Sequence, residues 1–197
     1  MRDKQREETR RRVYLAALEV FRRDGVAGCR IDDIAQKAEV SRSAFYFHYP
    51  TKDDVLIELL RESERPVGKA VEELPLDTPF EKVLSTVAAA MADFWKDEPK
   101  LLIDVATVAL RLNSVVMDRE AEPVRGIVAE RFRLAAARNE LSPVLPAEVL
   151  SDFFLFNSLA AMVAWSASPG LDLEVALQGV AMLFLTGAAG PKLKART

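Results

Sequence analysis

The residues best suited to chemistry are crowded into one stretch, Ser41 to Lys52, which reads SRSAFYFHYPTK. Four aromatics and the chain's single histidine fill the five positions Phe45 to Tyr49. Beside a duplex these side chains have clear uses. Arg42 can reach a phosphate or a guanine edge, Phe47 can rest on a thymine methyl, and Tyr46 and His48 can donate to phosphate oxygens. Bond-making chemistry has less support. One histidine and one cysteine (Cys29) leave no basis for a multi-histidine zinc site or an ordinary Ser-His-Asp triad. No Gly-x-Ser-x-Gly, phosphate-binding loop or Gly-x-Gly-x-x-Gly is present. The adjacent acidic pairs Asp32-Asp33 and Asp53-Asp54 diverge around a helix and suit helix starts better than catalysis. The sequence therefore predicts a binding protein rather than an enzyme, with no cofactor and no metal.

Those side chains need two short helices and a tight turn. A first helix is expected from Lys4 to Asp24, with Tyr14, Ala17, Leu18 and Phe21 on one face and Gly25 ending it. A second should run from Ile31 to Ala38. A third begins after Ser41, a natural N-cap, and closes at Pro50; Val40 can staple onto Phe45. A fourth restarts at Thr51-Lys-Asp-Asp54, shaped like a capping box, and runs towards Glu73, with Pro66 expected to kink it. Phe45 and Tyr49 share the inward face with Ile34, Ala35, Leu18 and Phe21. Arg42, Ser43, Tyr46 and Phe47 lie on the other side. Two such helices match a helix-turn-helix, whose second helix enters the major groove, although an over-packed helical hairpin is the plainer alternative.

The charge distribution agrees with a DNA-facing module. Residues 1–52 hold 12 Lys/Arg against 8 Asp/Glu, a balance of +4, while the remainder holds 15 against 22, and the whole chain is at −3. No apolar leader opens the sequence, and a lone cysteine suits a reducing compartment, so a cytoplasmic location is expected. Prolines divide the rest into helices near 79–97, 100–115, 121–139, 146–167 and 172–188. The uncharged stretch Phe153 to Leu171 reaches membrane-spanning length. Asn157, Ser158, Ser166, Ser168, Pro169 and Gly170 interrupt it, and no Lys/Arg flank accompanies it, so burial against a partner is expected and a membrane is not.

Residues Val13 to Leu56 resemble the DNA-binding domain of the tetracycline-repressor (TetR) family of transcription regulators. The likeness lies in AALEVFRRDG, IDDIAQKAEVS and FYFHYPTKDDVL, in order and with the family's spacing. It implies an all-α fold with a helix-turn-helix DNA-binding domain over residues 1–55 and a larger ligand-binding and dimerisation domain over 56–197. It also implies that Arg42, Ser43, Ala44, Tyr46, Phe47, His48 and Lys52 contact DNA. Lys52, beside exposed helix N-terminal amides, makes a phosphate site on independent grounds. Three departures stand out. Glu39 occupies the usual Gly, at a cost of about 1 kcal/mol in a left-handed turn. Ser43-Ala44 replaces Gly-Thr. Arg30 replaces a capping Thr and gains reach towards a phosphate.

For the larger domain the resemblance implies a homodimer, a palindromic operator and a small-molecule effector. Leu155, Leu159, Met162, Val163, Leu177, Val180, Leu183 and Phe184 exceed what one core needs and suit a symmetric four-helix interface. Ala160, Ala161, Ala164 and Gly187 would allow close approach. Met91, Phe94, Trp95, Phe154 and Trp165 are candidates to line an apolar pocket, with Asn113 or Asn157 orienting the ligand. An apolar or aromatic effector follows from the scarcity of charge. The competing reading is a helical small-molecule carrier with a weakened DNA-binding domain.

Overall fold

The computed structural model describes residues 2–113, 123–141, 145–167 and 170–186. Among them it is all helix: α1 (Arg2–Asp24), α2 (Ile31–Lys37), α3 (Arg42–His48), α4 (Lys52–Glu72), α5 (Phe80–Trp95), α6 (Pro99–Asn113), α7 (Pro123–Ala137), α8 (Ala147–Ala167) and α9 (Leu173–Thr186). Each lies within a few residues of its predicted range. Two compact units result. One gathers the chain up to Leu60 together with α6; the other gathers Arg61–Glu98 with α7, α8 and α9. α4 is shared, its first turns in the first unit and the rest in the second. Helix α6, which sequence reasoning grouped with the larger domain, packs on α1.

The first unit is built by local rules. Gly25, at φ 74, ends α1, and its amide donates to Phe21 O at 2.9 Å. Val13, Tyr14, Ala17, Leu18 and Phe21 form the buried face of α1. The Ser41 hydroxyl accepts from the Ala44 amide at 3.1 Å, capping α3. At the start of α4, the Thr51 amide and hydroxyl both donate to Asp54 Oδ2 at 2.7 Å, and the Asp54 amide donates back to Thr51 Oγ1 at 3.3 Å. That is a complete capping box, with the shorter Asp doing what Glu does elsewhere.

The second unit has an aromatic centre. Phe132 of α7 meets Phe80 of α5 edge-on at 4.7 Å between centroids, and Phe184 of α9 edge-on at 5.7 Å. Phe154 of α8 joins them, at 5.7 Å from Phe184. The loop after α4 is secured from α7. Arg131, 6% exposed, donates to the carbonyls of Val71 and Leu74 at 2.6 Å and of Pro75 at 2.9 Å. Two turns later Arg138 donates to Leu76 O and Thr78 O, and Glu140 accepts from the Phe80 amide at 2.9 Å. Carbonyls at and after the end of one helix and the first amide of the next are thereby paired by side chains on and just after a third.

Helix α8 passes the membrane-spanning test by length and composition. In this unit one side of it, Ser151, Phe154, Ser158 and Met162, is buried against α7 and α9.

The turn between α2 and α3 holds Glu39 at φ 54, the left-handed region expected for the position a glycine usually takes. Its amide donates to Gln36 O at 3.1 Å and the next amide to Ala35 O at 3.0 Å, so a glycine would keep both bonds. Glu39→Gly should raise the unfolding free energy by roughly 0.5–1 kcal/mol, after the added freedom of the unfolded chain is subtracted. Urea denaturation of the two proteins side by side checks it; an unchanged or lower midpoint would refute the strain.

Candidate nucleic-acid interface

Helix α3 divides its side chains cleanly. Phe45 and Tyr49 are fully buried, among the same residues as Leu18, Phe21, Ile34 and Ala35, and α3 packs on α1 and α2. Ser41, Arg42, Ser43, Tyr46 and Phe47 face solvent, Phe47 at 65% exposure. Ala44 and His48 are half-buried at the border. A largely exposed phenylalanine beside arginine is costly to leave in water and makes sense against another molecule.

The orientation of α3 rests on one polar cluster. The Tyr49 hydroxyl donates to Glu58 Oε2 at 2.7 Å and accepts from Arg10 Nε at 3.3 Å. Arg10 also pairs with Glu58 directly. This ties α1, the end of α3 and α4 within one unit. Burial is the main reason the Tyr49 phenol is pushed well above its ordinary range, so it stays protonated and keeps donating.

Sequence reasoning missed the partners of the exposed set. Arg42 forms an ion pair with Asp32 of α2, at 2.9 and 3.1 Å, and lies over the Tyr46 ring at 5.8 Å. Arg6, one turn before Arg10 on α1, stacks over the Phe47 ring at 5.0 Å. Arg6, Phe47 and His48, with Arg2 and Thr9, line a shallow groove of about 450 Å3. The i, i+4 pair Arg6 and Arg10 was visible in the sequence, but only packing brings it to α3. Burial, then the charges of Arg6 and Arg10, hold the His48 imidazole below its ordinary value of 6.5, so it is neutral in the free protein.

Two predicted contacts lie outside α3. Lys52 turns inward: its ammonium donates to Val26 O at 2.8 Å and Cys29 O at 2.6 Å, fastening the α1–α2 loop to the start of α4. Loop carbonyls with no helical partner attract the nearest cation, and this one is within reach. Arg30 caps α2 without a side-chain hydrogen bond and is exposed, with its guanidinium directed by no neighbour in that cap.

In the second unit the pocket candidates do not gather. Trp95 and Phe154 are buried, Phe154 in the aromatic core, and Met91 packs partly against that core. Phe94 stacks edge-on with Trp95 at 5.2 Å. Asn157 is exposed and donates to Phe153 O of its own helix at 2.7 Å. Trp165 donates to Leu171 O at 2.8 Å, closing the α8–α9 connection. The side chain of Asn113 lies outside the described residues. So does Gly187.

The interface candidates are similarly split. Met162 and Leu177 are buried in their own unit; Leu155, Val180 and Phe184 pack partly against its core; Leu159 and Val163 are half-buried. Of the eight, Leu183 alone is exposed, at 59%. The open apolar face is instead Phe153, Phe156, Ala160 and Ala164 on α8, with Val175, Gly179 and Met182 on α9. Both helices are apolar on every side, so periodicity had no polar face to reveal which side was which.

Among the described residues no three of His, Cys, Asp or Glu are placed to hold a metal ion.

Residues 14–59 match the family described as bacterial regulatory proteins, tetR family. The HTH-type transcriptional regulator CymR of Pseudomonas putida is 34% identical over 166 residues, which cover 81% of this chain and 79% of CymR. SrpR of the same species is 39% identical over 87 residues, 44% of this chain. The match spans only 39% of SrpR's own length. A solved structure of Thermus thermophilus FadR, a TetR-family transcriptional repressor in complex with lauroyl-CoA, superposes with a TM-score of 0.68 at 25% identity, covering 92% of this chain and 95% of that one. With a helix-turn-helix built as described and a relative of this similarity matched over most of both lengths, the chain belongs to the TetR family of bacterial regulatory proteins.

Proposed function

We propose that this protein is a homodimeric, sequence-specific DNA-binding transcription regulator, most naturally a repressor released from a palindromic operator by a small effector. The observation that carries this reading is the outer face of α3, where Arg42, Ser43, Tyr46 and Phe47 stand in solvent while Phe45 and Tyr49 anchor the helix from behind. In this reading residues 1–55 bind DNA and residues 56–197 bind the effector and dimerise. Arg42 leaves Asp32 for phosphate or guanine; Tyr46, Ser43 and the Ala44 backbone follow the groove; Phe47 touches thymine methyls. Lys52 acts chiefly by holding the α1–α2 loop, and Arg6 adds a phosphate contact beside His48.

Dimerisation would use the open apolar face of α8 and α9. Phe153, Phe156 and Ala160 on α8 and Val175, Gly179 and Met182 on α9 form stripes at helical spacing, with small residues where helix axes must approach. Two-fold pairing of that face is self-complementary and closed. It sets two recognition helices on one operator, with half-sites about 34–36 Å apart or a multiple. The effector acts through α4, the element common to both units. A ligand that prefers one state by ~100-fold shifts the equilibrium by about 2.7 kcal/mol. The related FadR carries lauroyl-CoA, whose acyl chain supports an effector with a substantial apolar part here.

The first experiment is fluorescence anisotropy on DNA from upstream of the protein's own gene, beside a scrambled duplex, at ~50–200 mM salt. Specific binding survives rising salt on the native duplex only; equal, salt-labile binding to both would sink the reading. On the same duplex, Arg42→Ala or Tyr46→Ala should weaken affinity by about 1–3 kcal/mol, with the circular-dichroism melt unchanged. Unaltered affinity in both would remove α3 as the reading helix.

His48 gives a pH test. Its proton affinity is lowered in the free protein, and a phosphate beside it raises that affinity, so the complex binds more protons than the free protein. DNA affinity should therefore strengthen as pH falls from 8 through the imidazole range, and His48→Gln should flatten that slope. A slope that survives the substitution assigns it to another group.

Met182→Glu places a charge in the proposed interface. Light scattering after size exclusion should report a monomer for the variant and a dimer for the parent. A variant that stays dimeric would exclude this face.

A further inference from the structure

The second unit carries a cavity of about 390 Å3 between the later turns of α4 and the first turns of α7. Its size falls within the usual range for small-molecule sites, about 300–1,000 Å3. The floor is apolar: Val124 and Ile127 of α7 lie over Gly68 of α4. A methyl group at position 68 would meet Ile127 Cδ1 at 3.3 Å and Val124 Cγ2 at 3.4 Å, close enough that Ile127 would have to give by a few tenths of an ångström. The rim is basic, with Arg61, Arg65 and Lys69 one turn apart on the exposed edge of α4.

The charges on that rim are not equivalent. Lys69 is paired with Glu73 on its own helix. Arg61 and Arg65 have no ion-pair or hydrogen-bond partner among the described residues. Glu64 and Glu72 also line the cavity, and Glu64 has an interaction of its own. Glu72 sits at the far end, about three turns from Arg61. One end of the cavity therefore carries two guanidiniums without ion-pair partners among the described residues, with Glu64 between them on α4 engaged in an interaction of its own, and the middle has an apolar floor. Guanidinium pairs suit planar carboxylates and phosphates, which accept two parallel N–H donors.

We propose that this cavity takes an amphipathic anion. The anionic group, a carboxylate or phosphate, sits on Arg61 and Arg65, and an aliphatic chain lies over Gly68, Val124 and Ile127. This rests on the effector-responsive reading above and gives its largely apolar effector a charged head. The position on α4 gives the ligand direct purchase on the shared helix.

The test is calorimetric titration of the full-length protein with laurate, lauroyl-CoA, 1-dodecanol and free CoA, below their aggregation concentrations. Laurate or lauroyl-CoA should bind at least tenfold more tightly than dodecanol. In Arg61→Gln/Arg65→Gln, two solvent-facing changes, that preference should disappear while the thermal melt is kept. Laurate binding assigns the anion to a free carboxylate; lauroyl-CoA binding without laurate assigns it to the nucleotide phosphates; either supports the site if the arginines are required. Equal binding of dodecanol, a preference that survives in the double variant, or no binding of either anion would overturn it. DNA affinity measured without any of these compounds keeps the two readings apart. Arginine-dependent anion binding in a protein that ignores its upstream DNA would refute the regulator and leave the site standing.

Discussion

The Tyr49 hydroxyl, held between Glu58 and Arg10, is the contact on which the exposed face of α3 depends. Helix α3 has only seven residues, too few to be stable by itself. Its stability comes from what it buries. Phe45 and Tyr49 each contribute on the order of 2 kcal/mol by leaving water, and the Tyr49 hydroxyl adds a charge-assisted hydrogen bond of about 1.5–3 kcal/mol. Because the partners of that hydroxyl lie on α1 and α4, the bond sets the rotation of α3 as well as its stability. Rotation decides which residues face outward. A turn of 100° would bury Tyr46 and present Phe45.

The exposed side of α3 is organised before any ligand arrives. Arg42 is steadied by Asp32 and the Tyr46 ring, and Arg6 by the Phe47 ring. Such contacts reduce the rotamer entropy lost on binding. The Asp32 pair has the opposite effect as well, since in the proposed reading Arg42 would have to release a carboxylate before taking a phosphate. Both members are more than half exposed, so the exchange costs little, roughly 0–1 kcal/mol. It is repulsion between Asp32 and the backbone phosphates, more than the lost pair, that would discriminate against a badly docked duplex.

In the second unit Arg131 has a comparable structural part. A guanidinium that is nearly fully buried is stable only when its donors are matched, and three carbonyls around the end of α4 match them. The same region would otherwise leave helix-terminal carbonyls unpaired, at about 1–3 kcal/mol each. The polar atom left over in this core is Ser151 Oγ, which has no partner among the described residues.

Much of this was legible in the sequence because it is local. The helix ends follow from Gly25, Ser41, the Thr51–Asp54 box and the prolines, each of which acts within one turn of itself. The division of α3 into Phe45 and Tyr49 inside and Arg42, Ser43, Tyr46 and Phe47 outside follows from a 3.6-residue period with polar residues to mark the outer face. Where that marker is missing, the sequence was silent. α8 and α9 are apolar all round, so only packing could decide that Met162 and Leu177 belong to the core while Phe156 and Met182 stay open. Long-range pairs were likewise invisible: nothing near Lys52 announces that its ammonium belongs to Val26 O and Cys29 O, nor near Arg42 that Asp32 will hold it. Sequence determines what a short segment does with its own neighbours; tertiary structure decides which distant groups a charge or an apolar face will meet, because that depends on how whole helices pack.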